Sequence, residues 1–328
     1  MKKIMLFIAA FVAILGLSAC GNSEEKVVRL GLLRVPNDAM LAKQMGLFED
    51  AFGELGYEIE YYYFDSGVDA NKAIVSGDID FATMGNINSI VALGNELDAE
   101  LVWIHETLGS VEALAVRDDA GIETAEDLAG KTIATTFAST AHYVLLNVLK
   151  EAGVEDEVEL LNMNTSSIVA AWSRGDIDAA YTWQPSLGLL LDDGGSVLVS
   201  SADMIERGYM TANVELARKS FAEKNPELVQ AYISCMAEAY DYFMDNHEDA
   251  VSKLAVELDL SIEEIELQTS GSIWTSLEEM QSVAFNDSYV NTMVEQTVFL
   301  QEQDFIDRSI DTAEMDTFIN ESYAKDVD

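Results

Sequence analysis

"VSGDIDFATMGNINSIVAL" at residues 75–93 and "SRGDIDAAYTWQPSLGLLL" at residues 173–191 decide how this chain is read. Each carries Gly-Asp-Ile-Asp, then a short apolar run, a polar turn and a new amphipathic run. A segment of helical periodicity leads into each, "GVDANKAIVS" in the first case and "SSIVAAWSR" in the second. Gly77 and Gly175 stand where a helix C-terminus calls for positive φ, which a residue without Cβ adopts freely. The runs at 79–84 and 177–182 predict strands. Asn86-Ile87-Asn88 offers cap chemistry for a helix over 88–94, and Pro185 suits a first helical turn. One unit is therefore built twice, so two α/β lobes are expected, each presenting a strand-end turn.

The flanking sequence fits that division. "VVRLGLL" predicts a strand, and residues 39–56 a helix with Leu41, Met45, Phe48, Phe52 and Leu55 on one face. "EIEYYYF" is a strand ending at Asp65-Ser66-Gly67, and "ELVWIH" and "VEALAVR" are strands, the second crossing out of the first lobe. Thr124 with Asp127 reads as a capping box before the strand "KTIATT", while "VELLNM" and "SVLVSS" add further strands. "ANVELAR" (212–218) crosses back, and everything after Asn225-Pro226 reads as helical, with cap pairs Ser261/Glu264 and Ser276/Glu279. The expected fold is α/β and two-lobed, with mixed, mostly parallel sheets flanked by helices and two hinge crossings. One lobe takes residues 27–113 and 212–328, the other 114–211. The cleft between lobes, where strand ends and helix N-termini point, is the default ligand site.

Residues 1–20 read as a lipoprotein signal peptide: Lys2 and Lys3, the apolar "IMLFIAAFVAILGL", then Leu17-Ser18-Ala19-Cys20. Cys20 is the expected acylated N-terminus, residues 21–26 a polar tether, and the location the outer face of the cell membrane. The other cysteine, Cys235, has no partner for a disulfide and reads as a small buried hydrophobe. The formal net charge is −41, spread along the chain without a Lys/Arg stripe, which excludes nucleic acid as a partner. Three scattered histidines (His105, His142, His247) give no zinc spacing, and no metal or other cofactor is expected.

The stretch "TTFASTAHYVLLNVLKEAG" (135–153) gathers Thr136, Ser139, Thr140, His142 and Tyr143 at one helix start. Ser139 and Thr140 read equally as N-caps and as part of an anion site, because both jobs use the same groups. A catalytic Ser–His pair lacks the Gly-x-Ser-x-Gly elbow that would announce it, so no chemistry is expected. Trp172 reads as core and Trp183, in a strand-end turn, as a cleft residue. Asp78, Asp80, Asp176 and Asp178 read as turn caps rather than metal ligands.

"FDSG", "GDIDFATMGNINSIVAL", "LGSVEALAVR", "FASTAHYVLLNVLKEAGV", "AAWSRGDIDAAYTWQP" and "RKSFAEKNPELV", in that order between Arg29 and Leu228, carry a resemblance. They resemble the substrate-binding proteins of taurine and aliphatic-sulfonate ABC importers, in the taurine-binding branch. The resemblance implies a type II periplasmic-binding-protein fold, a monomer that closes on a small sulfonate, taurine by preference, and delivers it to a membrane permease with its ATPase. It places the sulfonate at Gly85, Asn86 and Asn88 and at Ser139, Thr140 and His142, with Asp65, Ser66 and Trp183 at the cleft. A sulfonate is a permanent monoanion, so helix N–H groups and hydroxyls hold it without Lys or Arg. The returning strand departs from the family's Thr-Leu-Asp-Val-Trp: Asn213 takes the Asp position and Glu215 the Trp position. Residues 213 and 215 share a strand face, so Glu215, with Asn213, is expected to meet the ammonium, as is Glu112. Another organosulfonate or small zwitterion is the alternative ligand. An enzyme on the same fold, of the thiamine-precursor or menaquinone type, is the alternative class, disfavoured by the export signal.

Overall fold

The Gly-Asp-Ile-Asp unit folds the same way twice in a computed structural model that describes residues 26–327. The expected signal peptide, Cys20 with its acylation, and tether residues 21–25 lie outside the described residues. Eleven strands run in the order β1 (Val27–Leu33), β2 (Glu58–Phe64), β3 (Phe81–Gly85), β4 (Ala99–Leu108), β5 (Glu112–Arg117), β6 (Thr132–Thr135), β7 (Glu159–Asn162), β8 (Ala179–Trp183), β9 (Gly195–Ser200), β10 (Ala212–Arg218) and β11 (Ser272–Trp274). The first sheet is ordered β11-β4-β10-β3-β1-β2, the second β7-β6-β8-β5-β9. Reversed, the second sheet reads β9-β5-β8-β6-β7 and matches β4-β10-β3-β1-β2 strand for strand. In both, three parallel strands (β2-β1-β3 and β7-β6-β8) continue into antiparallel ones (β10-β4 and β5-β9).

The second aspartate of each repeat clasps its sheet. Asp80 accepts the Arg29 N–H at 3.0 Å, and Asp178 accepts the Thr132 N–H at 2.9 Å. The backbone N–H groups of Arg218 and Arg117, at the far ends of β10 and β5, donate to the carbonyls of Asp80 and Asp178 at 2.9 and 3.0 Å. Expected as turn caps, these two aspartates instead bond across to neighbouring strands, Asp80 to β1 and Asp178 to β6. Gly77 and Gly175 end their helices at φ 78° and 73°.

Three expectations are corrected. Gly46, at φ 79°, breaks the helix expected over 39–56 into Asp38–Met45 and Leu47–Glu54. The apolar spacing runs on across the break, which is why the pattern hid it; Phe48 and Phe52 are still fully buried. The tail after residue 226 is not all helical, because β11 pairs antiparallel with the edge of β4. The chain passes between sheets at residues 109–111, just ahead of the strand expected to cross, since β5 already belongs to the second sheet from Glu112. Gly109 is needed there: a Cβ on it would lie 2.5 Å from the Gly271 carbonyl oxygen.

Apolar burial holds both sheets. On the first, Phe81 stacks on Tyr232 with ring centres 4.8 Å apart, and Phe48 packs on the same tyrosine. Cys235 is buried beside them on the helix Pro226–Asp245. Trp172 is buried under the second sheet, as expected of a core aromatic. No helix among the described residues is long and apolar enough to cross a membrane.

Candidate functional site

Parallel strands followed by helices aim helix N-termini at one edge of a sheet, and here both sheets aim them at a shared cavity of ≈ 710 Å³. The helices Gly67–Ser76, Asn86–Gly94 and Thr140–Ala152 all begin at its wall. A helix start leaves N–H groups without intrahelical partners and carries the positive end of the dipole. Gly85 caps its helix without a side chain, so those N–H groups stay open to the cavity. The two principal turns touch: a Cβ on Gly85 would stand 2.8 Å from Thr140 Cγ2, and Asn88 Nδ2 donates to the Ala138 carbonyl at 2.7 Å.

Asp65, Ser66, Gly85, Asn88, Glu112, Ser139, Thr140, Trp183 and Asn213 line the cavity. The hydroxyl protons of the helix start at residue 139 are engaged elsewhere. Ser139 Oγ donates to the Thr136 carbonyl at 2.6 Å while capping the His142 N–H, and Thr140 Oγ1 donates to Glu112 Oε1 at 2.6 Å. Backbone N–H groups, not hydroxyls, are therefore the donors left on this side. Ser201 supplies Glu112 with a second hydroxyl at 2.9 Å. Burial pushes the Glu112 carboxyl up to about 7, against the pull of those two hydroxyls.

Asn86, His142 and Glu215 lie off the cavity, a correction of the expectation. Asn86 is fully buried, donating to Gln296 at 2.8 Å and accepting the Ala212 N–H at 3.2 Å, which ties β10 to the tail helix Val283–Glu302. His142 stacks on Phe137 with ring centres 4.3 Å apart, and its Nδ1 accepts the Ala138 N–H at 3.4 Å. Burial pushes its imidazole down to about 4, so it is a neutral brace for the turn. Glu215 shares its strand face with Asn213 but sits one step deeper. It accepts from Thr83 Oγ1 at 2.7 Å and lies 3.0 Å from His105 Nε2, while His105 Nδ1 lies 2.5 Å from Asp38. Burial alone would push His105 down, but the carboxylates of Asp38 and Glu215 outweigh it and hold the imidazole up to about 10. Alternation along a strand told which face Glu215 occupies. It did not tell depth, or that a histidine waits on β4.

Sequence reasoning missed Glu106. It lines the cavity at 3 % exposure and stands directly opposite Asn213 in the β4–β10 ladder. Asn213 Nδ2 donates to its Oε1 at 2.5 Å, and its Oε2 has no partner among the described residues. Burial pushes its carboxyl up to about 7, against the pull of the His105 charge. The signal was available, a carboxylate beside a histidine directly after the apolar run of the strand "ELVWIHETL". Among the described residues Arg34 is the one basic side chain on the wall; it is exposed and lies 3.3 Å from Asp65. The arrangement holds an anion by dipoles and N–H groups, and offers carboxylates nearby.

Comparison with known proteins places this geometry. The family described as NMT1/THI5 like matches residues 38–250. The taurine-binding periplasmic protein of Escherichia coli K12 is 38% identical over 209 residues, 62% of this chain and 64% of that protein. The chain thus spans less than two thirds of that relative's length. Among solved structures, the periplasmic aliphatic sulphonate binding protein SsuA of Escherichia coli matches with a TM-score of 0.74 at 22% identity, over 91% of this chain and 99% of that one. The desulfurization enzyme DSZB matches with a TM-score of 0.66 at 17% identity, over 91% and 97%. At these identities the two structures share the fold, which is that of periplasmic binding proteins.

Proposed function

The chain belongs to the NMT1/THI5-like family, and from that premise we propose that it is the extracytoplasmic solute-binding lipoprotein of an ABC importer, capturing taurine or a similar small sulfonate. Three helix N-termini meeting at one cavity, with a single exposed arginine on its wall, carry the proposal. A permanent monoanion with three acceptor oxygens suits such donors, which act over a few ångströms while remote surface carboxylates are screened beyond about 8 Å. The 38% identity to a taurine-binding periplasmic protein supports the ligand class.

On this reading Gly85, Asn88, Ser139 and Thr140 surround the sulfonate, and Asp65, Ser66 and Trp183 border it. Asn86 and His142 hold the two turns in shape from behind. Residues 27–111 with 212–328 form one lobe and 112–211 the other, hinged at the crossings. Cys20 anchors the monomer to the membrane, and a permease with its ATPase receives the ligand. His142 and Cys235 lie off the cavity, which supports capture without chemistry; burial also pushes the Cys235 thiol up to about 12. A bulkier organosulfonate is the second reading, favoured by a cavity of ≈ 710 Å³ with apolar Val169, Trp183 and Leu189 on its wall.

A thermal-shift screen of taurine, ethanesulfonate, isethionate, sulfoacetate and free amino acids tests this. A true ligand at a hundred times its Kd stabilises by about 2.7 kcal/mol and raises the melting point by degrees. A screen in which amino acids shift the protein and no sulfonate does would end the sulfonate reading.

A further inference from the structure

Gly85, Asn213 and Glu106 form one row across the cavity edge of the first sheet, Asn213 standing opposite Gly85 on β3 and opposite Glu106 on β4. Two strand spacings separate the backbones of Gly85 and Glu106, about 10 Å. That span fits an anionic head at the helix start beside Gly85 and a second group, a few bonds away, at Glu106.

Of the carboxylates offered for that second group, two do not serve. Glu112 accepts hydroxyls on both oxygens, from Thr140 and Ser201. Glu215 takes Thr83 and His105 on one oxygen, Oε2; its Oε1 has no partner among the described residues, but the residue lies beneath the cavity and off its wall. Of the three, Glu106 alone combines a partnerless oxygen with a place on the wall. Asn213 orients its Oε1, its Oε2 has no hydrogen bond among the described residues, and the nearby Asn37 amide only steadies the charge. A buried carboxylate with a free oxygen is costly unless a cation or donor meets it. The His105 imidazole does not discharge that role, since its two nitrogens face Asp38 and Glu215.

We propose that Glu106, held in place by Asn213, is the specificity-determining carboxylate of this cavity, selecting sulfonates that carry a cationic nitrogen over their uncharged analogues. The inference rests on the sulfonate reading above and adds the chemistry of the ligand's far end. The titratable groups around Glu106 are His105, Asp38 and Tyr289, the last reached through Thr107. Burial holds the Glu106 carboxyl up to about 7, so an arriving ammonium displaces its proton near neutrality.

Isothermal titration of the full chain with taurine and with ethanesulfonate is the test, on wild type and on Glu106→Gln. Wild type is expected to prefer taurine, and Glu106→Gln to lose roughly tenfold to a hundredfold in taurine affinity while holding ethanesulfonate within about threefold. Wild-type titrations at pH 6.5 in two buffers of different ionisation enthalpy add a readout that needs no variant. Taurine should release more protons than ethanesulfonate, because any effect of the anion on Glu112 is common to both ligands. A folded Glu106→Gln protein that binds taurine as wild type does, or equal proton release with the two ligands, overturns the inference and leaves the sulfonate reading standing. Binding of neither sulfonate by wild type removes both.

Discussion

Asn213 and Glu112 are one position in two copies of the same sheet. Each stands at the start of the strand that enters its sheet antiparallel, Asn213 second in β10 and opposite Gly85, Glu112 first in β5 and opposite Trp183. Five residues on from each stands an arginine whose N–H donates to the repeat's clasping aspartate. The surroundings nevertheless differ. Beneath Asn213 the first sheet buries an ionic set, Asp38, His105 and Glu215, with Glu106 beside it. Around Glu112 two helix starts beside the second sheet place the hydroxyls of Thr140 and Ser201, the latter joined to Tyr181 at 3.0 Å. Duplicated architecture thus fixes where a side chain points, and the neighbouring strand decides what it is able to do.

The ionic side is the easier to break. His105→Leu leaves Asp38 and Glu215 as buried carboxylates facing each other, and should cost about 3–5 kcal/mol by urea denaturation. The matching change beside the second sheet, Ser201→Ala at the start of the helix Ser201–Ile205, removes one hydroxyl from Glu112 and should cost about 1–2 kcal/mol. Equal losses would show that the two floors are energetically alike.

A pH series sharpens the same contrast. Glu112 is held up to about 7 from an ordinary 4.5, so between those values the native state keeps a proton that the unfolded chain has released. Stability therefore falls as pH rises through that window, by on the order of 1–3 kcal/mol, and the loss is complete above it. Glu112→Gln should remove its share of this slope and leave the share of Glu106, which is likewise held up to about 7, measured as ΔG of unfolding from pH 4.5 to 8. An unchanged slope would mean that Glu112 is ionised throughout.

The smallest expected effect concerns the helix start at residue 139. Ser139→Ala removes a cap and should cost about 1 kcal/mol of stability. Its hydroxyl proton goes to Thr136, so sulfonate affinity should change by less than about threefold in the same titration. A large loss of affinity would return the hydroxyl to the site.

Local chemistry explains which features were legible beforehand. The repeat, its helix-ending glycines and the capping boxes at Thr124, Ser261 and Ser276 each depend on residues close in sequence, and each formed. The cavity wall was readable for the same reason, being made of strand ends and the turns after them. Glu106 and Glu215 were not, because their roles depend on which strand lies alongside and at what depth. The Asn213–Glu106 hydrogen bond joins residues 107 apart in sequence. Gly46 and β11 escaped for a related reason: apolar period continued through one, and the other is a three-residue edge strand recruited by β4.

The contact between Gly85 and Thr140 has a consequence for energetics. The two turns belong to different sheets, yet one cradle is built from both. A ligand shifts a two-lobed molecule only by the difference between its affinities for the joined and the parted forms. On the proposed function, an anion shared across the joint would make that difference come from the head group, while the tail would set which molecules are admitted. Recognition and closure would then be separately adjustable, and the proposal for Glu106 predicts that a change there alters the guest list without altering the latch.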